Sequence, residues 1–91
     1  MPTTTEQNFT LPQVTFSTFV LSLASSALVQ LGEVPNPETN AIQEDLIMAK
    51  HTIDILEMLQ EKTGNCLDAE EKQLLEGVLY EVRMKYVIKT R

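Results

Sequence analysis

The segment FSTFVLSLASSALVQL, residues 16–31, decides how this chain is built. It carries no charged residue, and the charge-free run around it extends from Gln7 to Gly32. Phe16, Val20, Leu23, Ala27 and Leu31 recur at spacings of 4, 3, 4 and 4, the period of one face of an α-helix. Thr15 stands where a side-chain oxygen can cap the first free amides, and Gly32 stands where a helix end favours a left-handed residue, so the predicted helix covers about 16–31. Phe19, Leu21, Ala24, Leu28 and Val29 widen the apolar surface well past one stripe. The rest is Ser, Thr and Gln, whose hydroxyls can bond to the helix's own carbonyls and so tolerate burial. A helix that is neutral all round asks for cover on more sides than one small core offers.

Working outward, Glu33 to Ala41 holds Pro35 and Pro37, which push their predecessors out of the helical region and end the first element. A second helix is predicted over about 43–63, with Ile42, Leu46, Ala49, Ile53 and Leu56 as one heptad-like seam. Gln43, Lys50, Asp54, Glu57 and Glu61 form its solvated stripe, and Gly64 with Asn65 closes it. Asp68 and Glu71 have the spacing of a reciprocal capping box, which opens a third helix over about 69–89 with Leu75, Val78, Leu79, Val82 and Tyr86 on its core face. Upstream, residues 1–13 are polar, Thr-rich and interrupted by Pro2 and Pro12, and read as a flexible N-terminal arm ahead of a single domain over 14–91. No alternating strand pattern and no internal repeat is present. The expected architecture is all-α, a three-helix up-and-down unit that assembles into a homo-oligomeric helical bundle.

Length and charge bound the function. Ninety-one residues fit one small domain and exclude a multidomain enzyme. A chain this short buries only about 60–65% of its unfolded surface, so a partner would help it. Seven Lys plus Arg against thirteen Asp plus Glu give −6, and clustered cations that could displace counterions from phosphates are missing, so no nucleic acid is expected. Arg83, Lys85, Lys89 and Arg91 gather only at the C-terminus, where cations favour the negative end of a helix dipole. The charge-free run lacks the basic start of a secretory signal, since the first basic residue is Lys50. Its Ser, Thr and Gln content and lack of a positive flank also argue against a membrane span. A single Cys fits a reducing, cytoplasmic setting.

The other two helices carry more apolar surface than one seam uses. Ile47, Ile55 and Met58 surround His51, while Gly77, Tyr80, Met84 and Val87 form a stripe divided from the core face by Glu76, Arg83, Glu81 and Lys85. Two apolar stripes separated by charge call for two partners. A mid-helix Gly costs about 1 kcal/mol relative to Ala, which a close backbone approach at Gly77 would explain. The expectation is a homo-oligomer, with a dimer favoured, in which Phe19, Leu21, Ala24, Leu28, Gly77, Tyr80 and Met84 form the interface and the first helix lies near the symmetry axis. An additional, different protein partner is compatible with the same surfaces. The alternative is a membrane-associated helical hairpin whose uncharged first helix touches lipid.

Chemistry-bearing residues are sparse. His51 is the only His, and position 48 is Met, so the Glu-x-x-His pattern of a di-iron bundle is absent and no metal site is expected. Cys66 precedes the Asp68 cap, with Asp68 and Glu70 opposing a thiolate and no base placed beside it by the sequence. Ser25 and Ser26 lack the glycine-rich elbow of a hydrolase nucleophile. Phosphate loops and nucleotide fingerprints are missing. Neither enzymatic activity nor a cofactor is expected.

The first helix with residues 33–39 (EVPNPET), together with TIDILEML at 52–59, Lys62 with Thr63, and LYEVRMKYV at 79–87, resembles a family of short bacterial proteins catalogued as domain of unknown function 1844. The similarity covers about 16–87. It implies a bacterial, cytoplasmic, helical protein, and it assigns no catalytic role to any residue.

Overall fold

The computed structural model describes residue 11 and residues 13–91. Three helices follow one another, α1 (Phe16–Gln30), α2 (Leu46–Thr63) and α3 (Ala69–Thr90), and no strand occurs among the described residues. All three pairs of helices pack against each other. The short connections make the chain run up, down and up, with α1 and α3 parallel and α2 antiparallel to both. The flexible arm expected over residues 1–13 lies outside the described residues, apart from the exposed Leu11 and Gln13.

Each helix starts where its sequence supplies a cap. The Thr15 hydroxyl accepts from the Thr18 amide at 3.0 Å, and Thr18 Oγ1 accepts from the Thr15 amide at 3.0 Å. Asp68 and Glu71 form the expected reciprocal box, with bonds of 2.8 and 3.1 Å. Gly32 follows α1 at φ 77°, a conformation an L side chain resists.

The start of α2 corrects the sequence reading. Asp45, not a residue near Gln43, caps the helix by accepting from the Met48 amide at 3.1 Å. The preceding residues are held in a turn. Asn36 Oδ1 accepts from the Glu38 amide at 2.8 Å, Asn36 and Ala41 form an antiparallel bridge, and Asn40 adopts φ 58°. The Gln43 side chain is bound to Asn36 Nδ2 at 3.0 Å, and the Asp45 amide donates to the Gln30 carbonyl at 2.8 Å. With its backbone committed to this turn, Ile42 drops out of the seam and is 59% exposed.

The core otherwise follows the expected faces. Val20, Ala27 and Leu31 from α1 and its cap meet Ala49, Ile53 and Leu56 from α2 and Leu75, Leu79 and Val82 from α3, all buried. Phe16, Leu23, Leu46, Val78 and Tyr86 pack around them. Thr52 is the buried polar residue of this core, and its hydroxyl donates to Gln30 Oε1 at 2.7 Å with the Met48 carbonyl 3.1 Å away.

Candidate functional site: an uncharged face on the first helix

Because Val20, Ala27 and Leu31 point inward, residues half a turn away point out. Phe19 remains 48% and Leu21 50% exposed, and Ser22, Ser25 and Ser26 are exposed between them. Ala24 and Leu28, expected at the interface, are partly buried on the flank of α1, so only their edges reach the surface. The helix without charges thus shows roughly half its circumference to solvent, and that half is itself free of charge. The Ser22 hydroxyl donates to the Phe19 carbonyl at 2.8 Å, which spends its polarity inside the helix.

Apolar surface continues on the neighbouring helices. On α2, Ile47, Met48 and Met58 are exposed and Ile55 is partly so, with His51 exposed among them. On α3, Gly77, Tyr80 and Met84 come together with Ile88, Glu81 and Lys85 around a shallow depression of about 400 Å³. Nothing lies within 4 Å of a Cβ built at Gly77, so no close approach within the subunit explains that glycine.

A second concavity of about 620 Å³ lies between α1 and the turn before α2, lined by Ser25, Ser26, Gln30, Glu38, Glu44, Asp45 and Met48 among others. Its carboxylates were not singled out by the sequence, because their convergence depends on the turn at residues 36–45. Glu44 also meets Lys89 at 3.5 Å, and Glu33 lies 3.6 Å from Lys85 and 3.9 Å from Lys89. Arg83 bonds Glu57 at 2.9 Å. Three of the four C-terminal cations are therefore turned onto carboxylates of other elements, which ties α3 to α2 and to the turn and leaves no concentrated patch for phosphate.

The remaining candidates stay apart. His51 is in the second turn of α2, whereas the exposed Cys66 follows that helix's far end, roughly 20 Å along the axis. No group of three His, Cys, Asp or Glu side chains among the described residues could hold a metal ion. The Asp54 carboxylate, which accepts from Lys50 at 2.7 Å, holds that ammonium above its ordinary value of 10.5 by hydrogen bond and then by charge. The pair is exposed on the solvated stripe and belongs to no site. Among the described residues no helix is long and apolar enough to cross a membrane.

A family model described as Domain of unknown function (DUF1844) matches residues 13–88. No curated protein and no solved structure matches the chain.

Proposed function

We propose that this chain, which belongs to the family described as Domain of unknown function (DUF1844), is a non-enzymatic homodimer that acts in the cytoplasm by protein–protein contact, as an adaptor or regulatory module. The observation that carries the reading is the outward half of α1. Phe19 and Leu21 stay about half exposed on a helix that has no charged residue to keep that face wetted.

Charge selects the occupant. The chain carries −6, and every charged residue lies outside 7–32. Two copies meeting through α2 or α3 would bring Glu57, Glu61, Glu76 or Glu81 toward their counterparts, whereas two α1 faces meet without repulsion. An isologous contact needs one self-complementary patch, and a neutral patch meets that condition. The face is about 22 Å long from the 15 residues of α1. Met48, which lines a concavity together with α1 residues, extends the face toward α2, and a stable interface buries roughly 800 Å² per partner.

Ser22→Arg tests the reading. Ser22 is exposed and outside the core, so the variant keeps its helical circular dichroism, and its mass in solution is expected to fall from dimer to monomer. A folded variant that keeps the wild-type dimer mass would remove α1 from the interface. Wild-type monomer that co-sediments with phosphatidylcholine vesicles, with binding lost in Ser22→Arg, would replace the dimer by lipid contact.

A further inference from the structure

We infer that the two copies pack with their α1 helices antiparallel, so that Lys62 of the partner subunit reaches the acidic cleft between α1 and the 36–45 turn. This rests on the dimer reading and adds its direction and its polar contact.

The argument is one of levels along the bundle. The Asp45 amide is bonded to the Gln30 carbonyl, so the start of α2 stands level with the end of α1. Lys62, near the other end of α2, lies about 25 Å further along the bundle and so stands level with the start of the antiparallel α1. A two-fold axis through the middle of α1, at Leu23, exchanges the level of the start of α1 with that of its end. Glu44 and Asp45 border the cleft at that end.

The side of the bundle agrees with the level. Met48, Ile55 and Lys62 follow one another at intervals of seven on α2, and such residues share a helix face. Met48 lines the cleft beside α1, so Lys62 lies on the same flank at the other end. A two-fold perpendicular to α1 and lying in the interface keeps α2 over α2 while reversing its direction. Each cleft then faces the far end of the partner's α2.

Charge completes the fit. Glu38, Glu44 and Asp45 border the cleft, and no ion pair engages Glu38 or Lys62 among the described residues. A parallel arrangement instead gathers Glu38 and Asp45 of both copies at one end, and sets the α1 dipoles side by side with like ends together. Antiparallel packing removes both penalties and supplies two Lys62 contacts per dimer.

Charge exchange and cysteine cross-linking read this directly. Lys62→Glu is expected to weaken the dimer about tenfold through its two symmetric contacts, and Glu38→Lys in the same chain is expected to restore most of the loss. In a Cys66→Ser background, Thr18→Cys and Val29→Cys together are expected to give an intermolecular disulfide, while neither alone cross-links to its own copy. Self-cross-linking of each single variant would establish parallel packing and overturn the inference with the dimer intact. An unchanged dissociation constant in Lys62→Glu would overturn the Lys62 contact. A wild-type protein that is monomeric before any substitution would remove the dimer itself.

Discussion

Thr52 and Gln30 are joined by a hydrogen bond between α2 and α1, because the Thr52 hydroxyl is buried and aimed at the Gln30 side chain. Thr52→Val keeps shape and removes the donor. The expected loss is about 1 kcal/mol, because the Gln30 oxygen is only partly buried and can turn toward water. A lower urea midpoint at unchanged slope checks it, and an unchanged midpoint would show that this bond adds nothing to core packing and the Asp45–Gln30 backbone bond. At this scale the sequence was readable wherever one residue acts on its near neighbours. The caps at Thr15 and Asp68 and the turn at Gly32 stand where spacing placed them. Asp45 was missed because Ile42 has the right spacing to extend the seam by a turn. Only the turn built by Asn36, Asn40 and Gln43 withdraws its backbone.

Among the elements, the balance of inward and outward apolar surface matters most. The core faces of all three helices follow from periodicity, since Leu75, Leu79 and Val82 or Val20 and Ala27 recur at helical spacing and are buried. Periodicity also marked the surplus faces, but it could not show how the subunit would leave them. Ala24 and Leu28 turned partly inward, whereas Tyr80 is 67% exposed beside Gly77. The acidic cleft was not readable, because it is formed by residues far apart in sequence. Gly77 gives the sharpest test of an element. Space is open around it within the subunit, so Gly77→Ala is expected to raise the stability of the Ser22→Arg monomer by up to about 1 kcal/mol through helix propensity. A higher thermal midpoint checks it, and an unchanged one would show that another contact offsets the gain in helix propensity.

For the whole molecule, small size and uneven charge lead to the same expectation. A chain of 91 residues has one modest core, and nine buried hydrophobic residues among the described ones fill it while Phe19, Leu21, Ile47, Tyr80 and Met84 remain at the surface. Ion pairs such as Arg83–Glu57 and Lys89–Glu44 hold the helices in register, but exposed pairs contribute little to stability. Burying the neutral face of α1 against its own copy would add a second apolar layer and leave the acidic residues on the outside, where they keep dimers apart. Sedimentation equilibrium of the unmodified chain across the micromolar range tests that account most directly. A mass of two chains, falling toward one on dilution, is the expected result. A mass of one 10.3 kDa chain throughout that range would contradict it.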